Sequence, residues 1–166
     1  MRRESWDVVV AGAGVAGLFC ALNLPEKTRT LVICKEDAAT CDSMLAQGGM
    51  CTIANPADRE AWIADTLAAG HNENNRAAVE AMVDGSPAVT RTLVELGVEF
   101  DRSPDGRLDY TREGAHSRPR IVHRADTTGA AVTEALLAAV RALPWVEVRE
   151  HSPMEDLLVE GEGKGR

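Results

Sequence analysis

The chain begins with a short run of apolar residues from Asp7 to Ala11, and glycines follow at once. A continuous apolar run of this length is typical of a β-strand that is buried on both faces. The next apolar residues predict a helix to about Leu24, which Pro25 ends. β-Branched residues from Thr30 to Ile33 predict a second strand. A strand, a glycine turn, a helix and a strand in this order predict a parallel, right-handed βαβ unit.

After this unit, the sequence contains a stretch of small residues and then several segments with the spacing of apolar residues that is typical of helices. The stretch from Asp42 to Ile53 contains Gly48-Gly49, and it predicts a loop that runs close to a bulky group. Apolar residues then recur at helical spacing from Asp58 to Ala69, except at Asp65. Further along, the pattern predicts helices over 75–83 and 87–96, a strand over 98–100, a turn over 104–106, a helix from Thr127 or Thr128 through Ala142, and strands over 146–149 and 154–159.

Two features of this pattern bear on the fold class. Ser86 is a predicted N-cap with Pro87 at the first helical position, which separates the helices over 75–83 and 87–96. The order of strands and helices predicts an α/β fold with a Rossmann-like βαβ unit and inserted helices. Doubly wound sheets usually contain more strands than this, so we expect the sheet to be incomplete at its C-terminal side.

Length, charge and cysteine content narrow the class of protein. The 166 residues have the length of one domain, and the net charge of -8 argues against a nucleic-acid or anionic-membrane surface. No apolar run could span a bilayer, and no separate signal-peptide core precedes the first strand, so we expect a cytoplasmic protein. The cysteines never form a Cys-x-x-Cys motif, which predicts reduced structural thiols and no metal site; they are Cys20, Cys34, Cys41 and Cys51.

The glycines between the first strand and the first helix have a binding mechanism. Gly12 permits the tight turn, Gly14 lets the backbone approach a pyrophosphate, and Gly17 lets the helix pack against the strand. The free backbone amides at the start of the helix can donate to a phosphate, and the positive end of the helix dipole attracts its negative charge. This turn therefore predicts dinucleotide binding, and the alternative is a turn that serves packing only. Its residues are Gly12, Ala13, Gly14, Val15, Ala16 and Gly17.

An acidic residue about 20 positions after the glycines usually binds the ribose hydroxyls of a dinucleotide. Glu36 and Asp37 lie at nearly that distance, and spacing alone favours Glu36. An exposed Lys-Glu-Asp triplet is also what an ordinary strand exit contains, so spacing leaves this assignment open.

A basic segment between Arg112 and Arg124 stands out in this acidic chain. Guanidinium groups bind carboxylates in a bidentate fork, and the embedded Glu113 could meet a cationic group on the same ligand. The segment therefore predicts a site for a dicarboxylate that carries an amine. The alternative is a solvated loop whose ion pairs contribute little. The charged residues of the segment are Arg112, Glu113, His116, Arg118, Arg120, His123 and Arg124.

The order of a βαβ unit, a Gly-Gly loop and inserted helices resembles the FAD-binding domain of the succinate dehydrogenase and fumarate reductase flavoprotein superfamily. Within it, Ser43 to Gly49 is similar to the Ser/Thr-x-x-Ala-Gln-Gly-Gly motif of L-aspartate oxidases. Thr111 to Gly129 is similar to the Arg-Glu-Gly-x-His-Ser...Arg-Ile-x-His-x-x-Asp-x-Thr-Gly signature of the same family. The resemblance covers essentially the whole chain.

The resemblance implies FAD as cofactor and oxidation of L-aspartate to iminoaspartate, with oxygen or fumarate as acceptor. Iminoaspartate then feeds quinolinate synthase, an expected partner, in NAD biosynthesis. FAD is expected to be non-covalent, because Asp42 stands near the place of the histidine that carries FAD covalently in the membrane-complex members.

The resemblance also assigns residues. Glu113 would orient the amine of L-aspartate, Lys35 rather than Glu36 would lie near FAD, and Pro153 and Met154 would contact its adenine end. The loop residues implied in FAD binding are Asp42, Ser43, Met44, Leu45, Ala46, Gln47, Gly48 and Gly49.

On this resemblance the chain divides into three regions. Residues 1–54 form the βαβ unit and Gly-Gly loop, 55–142 a helical insertion with the basic segment, and 143–166 the returning strands. The capping domain with its proton-transfer arginine, and a C-terminal helical domain, are expected to be absent, so the chain alone is expected to be inactive. Two alternatives are a soluble fumarate reductase or succinate dehydrogenase type flavoprotein and a non-catalytic nucleotide-binding remnant. The Gly48-Gly49 loop disfavours an NAD-dependent dehydrogenase.

Overall fold

The computed structural model describes residues 3–159, which contain the predicted βαβ unit. Strand β1 is Val8–Ala11, helix α1 is Val15–Leu22 and strand β2 is Thr30–Ile33. The two strands pair in parallel with Val8 opposite Thr30, which confirms the predicted pairing. The remaining elements are the 3-10 turn Ala38–Thr40, α2 Asp42–Leu45, β3 Met50–Cys51, the 3-10 turn Pro56–Asp58, α3 Arg59–Ala69, α4 Arg76–Glu95, β4 Ile121–Val122, α5 Thr128–Arg141 and β5 Val146–Arg149.

The main sheet has the strand order β1-β2-β5, and all its strands are parallel. The carboxyl ends of the strands therefore meet at one edge, which is where ligands bind in open α/β sheets. Helices α1 and α5 pack together beside the sheet, and the core between them contains the fully buried side chains of Leu18, Val32, Leu136 and Val140. A second core joins α3 and α4 through Trp62, Ile63, Val79 and Val83. Strands β3 and β4 form a separate antiparallel pair.

The prediction that β1 is buried on both faces is wrong. Burial alternates along the strand, and the side chain of Val9 is 53% exposed. Strand β1 is an edge strand of the described sheet, and the alternation is the pattern of a strand that packs on one face.

Helix α4 is continuous where the sequence predicts two helices. Pro87 lies inside it and has no N–H to donate to the carbonyl of Val83. The hydroxyl of Ser86 donates to that carbonyl at 2.8 Å instead, and it accepts from the backbone N–H of Ile53 at 3.2 Å. Ser86 therefore satisfies the group that the proline leaves open, rather than capping a new helix.

Three further predictions differ from the structure. The predicted loop from Asp42 to Ile53 contains α2 and β3. No strand forms over 98–100, although Val98 and Phe100 are buried, and none forms over 154–159. An extended segment forms a strand only where a neighbouring strand pairs with it, and these two segments have none within residues 3–159. The end of the predicted returning region, residues 160–166, lies outside the described residues.

Other predicted elements are confirmed within a residue or so. Helix α3, strand β5 and the start of α5 lie where the pattern predicts, with Thr127 at the N-cap position of α5. The turn over 104–106 is closed by the N–H of Gly106, which donates to the carbonyl of Ser103 at 2.8 Å. Between residues 3 and 159, the helices are too short or too polar to cross a membrane.

Candidate active site

A groove of about 390 Å³ lies at the carboxyl ends of β1 and β2. The glycine turn forms one wall, and residues after β2 and β5 form the other. Lys35, Pro153 and Met154, for which the resemblance implies contact with FAD, line it, and Glu36 lines it as well. Position therefore does not separate Lys35 from Glu36, and their roles stay predictions. The groove residues are Ala11, Gly12, Ala13, Gly14, Ile33, Cys34, Lys35, Glu36, Asp37, Ala38, Thr40, Cys41, Ser152, Pro153 and Met154.

The glycine turn has the geometry that its sequence predicts. Gly12 adopts a φ of +114°, which favours glycine, and its N–H donates to the carbonyl of Ile33 at 2.8 Å. A side chain at Gly17 would overlap the carbonyl oxygen of Gly12, so α1 reaches β1 this closely only with glycine there. Gly14 is the N-cap of α1 and offers no side-chain cap to the helix amides. The N-terminus of α1 thus faces the groove with small residues around it.

The Gly-Gly loop, residues 43–49, reaches back to this helix N-terminus. The hydroxyl of Ser43 accepts from the backbone N–H of Val15 at 3.2 Å. A second cavity, of about 210 Å³, lies between the loop and the first turn of α5. Its lining residues are Val15, Ser43, Ala46, Gly48, Gly49, Met50, Thr128, Gly129 and Val132.

The first turn of α5 holds the Gly-Gly loop in place. The hydroxyl of Thr128 donates to the carbonyl of Gly48 at 2.8 Å, and the N–H of Gly129 donates to the carbonyl of Ala46 at 2.8 Å. A side chain at Gly129 would overlap the carbonyl oxygen of Ser43. Both residues belong to the quoted signature, but Thr128 was predicted only as a possible helix cap and Gly129 had no predicted role. A hydroxyl and a glycine at the start of a helix were the available signal.

Glu113 lies beside the Gly-Gly loop. A Cβ built on Gly48 would stand 3.4 Å from Oε1 of Glu113, so the two residues are direct neighbours. Both line an open cavity of about 650 Å³, together with Gln47, Thr111, His123, Ala125 and Asp126. The structure therefore brings together the loop and the residue for which the sequence predicts contact with a substrate amine.

The sequence predicted that the basic segment is either an anion site or a solvated loop, and Arg120 fits neither prediction. Its side chain is 0% exposed, where a solvated loop or an open anion site would leave it accessible. Nε and Nη2 donate to the two carboxylate oxygens of Asp58 at 2.8 and 3.0 Å, and Nη1 donates to Asp65 at 2.7 Å. A guanidinium that is committed to two carboxylates is not free to receive a small anion.

The other arginines of the segment contribute little to the cavity beside Glu113. Arg118 lies 3.7 Å from a carboxylate oxygen of Asp58, and Arg124 lies 3.6 Å from one of Glu99. None of the segment's arginines lines that cavity, and its charged walls are Glu113 and Asp126. The cavity is therefore suited to an ammonium group rather than to a carboxylate.

His123 lines the same cavity as Glu113, and His116 lies three residues after Glu113 in the chain. Nδ1 of His123 is 3.1 Å from a carboxylate oxygen of Asp101, and Nε2 is 3.9 Å from one of Asp109.

Nε2 of His116 lies 3.6 Å from Sγ of Cys51, and burial raises the pKa of that thiol. Cys51 is therefore protonated at neutral pH and is a poor nucleophile. All four cysteines are free, and the described residues contain no group of side chains that could hold a metal ion.

The arrangement fits a dinucleotide cofactor. A glycine turn and an open helix N-terminus suit a pyrophosphate, and the groove and the second cavity meet at that helix start. Backbone atoms and small side chains line much of the groove and of the second cavity, which leaves room for a large planar group. The cavity beside Glu113 adjoins the same loop through Gly48.

Comparisons with known proteins agree with this geometry. The family model described as FAD binding domain matches residues 7–165. The chain is 41% identical to the L-aspartate oxidase of Clostridium acetobutylicum over 93% of its length, and 42% identical to that of Nostoc sp. over 96%. It spans 36% and 28% of these two relatives.

Solved structures give the same result for the fold. A quinol fumarate reductase from E. coli superposes with a TM-score of 0.85 and 25% identity over 91% of this chain and 26% of that one. Sdh1 of Mycobacterium smegmatis gives a TM-score of 0.82 and 28% identity over 91% of this chain and 28% of that one.

Proposed function

The chain belongs to the FAD binding domain family, and from this premise we propose that it is the N-terminal part of an L-aspartate oxidase. The observation that carries the proposal is the position of Glu113 against Gly48, which places a carboxylate that could accept from an amine beside the Gly-Gly loop. The identity of 41% and 42% to L-aspartate oxidases supports it. Because the chain spans 36% or less of those relatives, the activity belongs to a longer protein.

FAD is the cofactor of the family, and the residues present fit it. The glycine turn and the N-terminus of α1 would hold the pyrophosphate, and Lys35 with the segment at Pro153 and Met154 would lie at the adenosine end. The loop from Ser43 to Gly49 would hold the remaining part of FAD. The loop contains no histidine, so the binding would be non-covalent. When bound, FAD supplies the hydride acceptor.

The protein's own residues bind and orient the substrate. Glu113 is exposed to the cavity, and its carboxylate would accept hydrogen bonds from the ammonium group of L-aspartate. Succinate and fumarate have no such group, so Glu113 would separate the two substrate classes. The substrate carboxylates need cationic partners, and the arginines of the basic segment do not line this cavity. We propose that those partners lie in the part of the longer protein that the chain does not span.

The finer assignments follow from the same family. The product would be iminoaspartate, the acceptor oxygen or fumarate, and the next enzyme quinolinate synthase in NAD biosynthesis. A cytoplasmic location is proposed as well, supported by the four free cysteines.

The first experiment uses the chain alone. We expect no turnover, because within residues 3–159 no arginine or lysine lines the substrate cavity. We also expect weak or absent FAD binding, because the main sheet of the described residues has only three strands, fewer than doubly wound sheets usually have. The purified protein would be mixed with FAD, gel-filtered and examined for a flavin spectrum and for aspartate-dependent peroxide. A yellow protein that forms peroxide with L-aspartate would contradict this expectation.

The second experiment supplies the missing part. A chimera would carry this chain in place of the matching region of the Clostridium acetobutylicum L-aspartate oxidase. The proposal predicts that the chimera binds FAD and oxidises L-aspartate. A chimera that binds FAD and oxidises succinate, with aspartate inert, would overturn it. That result would favour a fumarate reductase or succinate dehydrogenase type flavoprotein, to which the TM-scores of 0.85 and 0.82 also point.

A further inference from the structure

Arg120 is among the largest fully buried side chains of the described protein. Its main partner, Asp58, is nearly as inaccessible, with 4% of its side chain exposed. Burying a charge is costly, and a buried pair need not stabilise a fold more than apolar residues would. An interior ion pair next to a binding cavity therefore calls for an explanation beyond stability.

The segment that contains Arg120 is a closed loop with Glu113 on it. At its base, the N–H groups of Thr111 and Ile121 donate to each other's carbonyls at 3.0 and 3.1 Å. The N–H of Arg120 also donates to the carbonyl of Thr111, and the carbonyl of Arg120 accepts from Thr52. Residues 112–120 thus form a loop whose two ends lie next to each other beside β3. Glu113 lies on the outgoing side of this loop, and Arg120 ends the returning side.

The far side of the loop is held through Ser117. Its N–H and hydroxyl donate to the same oxygen of Asp65 at 2.8 and 2.7 Å. That oxygen also accepts from Nη1 of Arg120 at 2.7 Å. We call Arg120, Asp58, Asp65 and Ser117 the buried ion-pair cluster. It connects both the base and the far side of the loop to α3 and the turn before it.

Glu113 depends on this support. Within residues 3–159 its carboxylate makes no hydrogen bond or ion pair, so the backbone of the loop sets its position over Gly48. The loop backbone next to it is held by the N–H of His116, which donates to the carbonyl of Glu113 at 3.3 Å, and by Ser117. A shift of the cluster would therefore move Glu113 away from the amine.

We infer that Arg120 is a positioning residue for substrate recognition, acting through the 112–120 loop to hold Glu113 against Gly48. The inference rests on the proposed function for the role of Glu113. The bidentate fork to Asp58 and the third bond to Asp65 need a planar guanidinium, which Lys cannot reproduce. Arg120→Lys therefore keeps the charge and loosens the geometry.

The first test uses the 166-residue chain and needs no activity. Amide hydrogen exchange would be compared in the original chain, Arg120→Lys and the milder Ser117→Ala. We expect protection of the amides at positions 116 and 117 to fall about tenfold or more in both variants, while Val32 in the sheet keeps its protection. Unchanged exchange in the loop in both variants would overturn the inference, and so would an equal loss at Val32 in both.

The second test measures KM and kcat for L-aspartate in the chimera, per bound flavin. A positioning role predicts that Arg120→Lys raises KM about tenfold, and that adding it to Glu113→Gln raises KM no further. Arg76→Lys is the matched control, because Arg76 pairs with Glu80 on the surface of α4. A purely structural role predicts less active protein with unchanged KM.

The outcomes separate the two proposals. If the chimera binds FAD but does not oxidise L-aspartate, the proposed function fails and the assignment of Arg120 fails with it. If Glu113→Gln raises KM and Arg120→Lys does not, the function stands and only the assignment of Arg120 fails. Effects that multiply in the double variant contradict the assignment as well, because they show that the two residues act independently.

Discussion

The hydroxyl of Thr128 donates a hydrogen bond to the carbonyl of Gly48 at 2.8 Å, between residues 80 positions apart. The same hydroxyl accepts from the N–H of Arg124 at 3.0 Å. One side chain therefore connects the start of α5 to the Gly-Gly loop and to the end of the basic segment. This contact brings the predicted cofactor loop and the predicted substrate segment together.

Thr128→Val should destabilise the protein by about 1 kcal/mol, because the carbonyl of Gly48 and the N–H of Arg124 each lose a part-buried hydrogen bond. Thr133→Val is the matched control in the same helix. Thr133 is also buried, and its hydroxyl has no hydrogen-bond partner within residues 3–159, so valine should be neutral or stabilising there. Urea unfolding of both variants checks the difference. Equal losses would show that the hydroxyl of Thr128 contributes nothing specific.

Gly17→Ala should destabilise by about 3 kcal/mol, because the new methyl group would overlap the carbonyl oxygen of Gly12. Gly85→Ala should instead stabilise by about 0.8 kcal/mol, since Gly85 lies inside α4 with open space around it. Thermal unfolding of the two variants makes the comparison. A small or absent loss in Gly17→Ala would mean that α1 and β1 are not in such close contact.

Ser86→Ala should cost about 2 kcal/mol, because the carbonyl of Val83 and the N–H of Ile53 both lose a partner. Replacing Pro87 by alanine restores an N–H that can donate to Val83. Pro87→Ala should therefore be more favourable in the Ser86→Ala protein than in the original one, by about 1 kcal/mol. A double-mutant cycle in urea measures this coupling. A coupling of zero would contradict the role of Ser86 in a continuous α4.

Stability should depend on pH through Asp65. Partial burial raises its pKa, but hydrogen bonds from Ser117 and from Arg120 outweigh this effect and lower it to about 2, from an ordinary value of 3.8. The ionised form therefore favours the folded state above about pH 4, and this contribution, on the order of 2 kcal/mol, is lost as the pH falls towards 2.

Asp65→Asn tests that dependence. The variant should be less stable than the original chain at pH 7, and the difference should shrink as the pH falls from about 4 to 2. Urea midpoints at a series of pH values give the two curves. Parallel curves over this range would show that Asp65 is not the group responsible.

Local rules predicted much of the fold. A run of β-branched residues located β2, the pattern after the last helix located β5, and the glycine spacing located the turn before α1. The same rules failed at Pro87, because the hydroxyl of Ser86 replaces the hydrogen bond that proline removes. They also failed over 154–159, because whether an apolar extended segment becomes a strand depends on a neighbour that its own sequence does not contain.

The site was predicted in part. The glycine turn, the Gly-Gly loop and Glu113 carry recognisable motifs, and the structure brings the loop and Glu113 together. The burial of Arg120 was not predicted, since charged side chains are mostly exposed. Asp65 was the available signal, because it interrupts the apolar spacing of α3 and a carboxylate on such a face needs a partner. That partner lies 55 residues away, beyond the reach of any local pattern.

The most direct measurement of the central claim is kcat/KM for L-aspartate in the chimera with and without Glu113→Gln. Glutamine keeps the size of the side chain and removes the charge that faces the substrate ammonium. The proposed role predicts a fall of roughly 10- to 100-fold, mainly through KM, with the flavin content unchanged. An unchanged kcat/KM at full flavin content would contradict the claim that Glu113 recognises the amine.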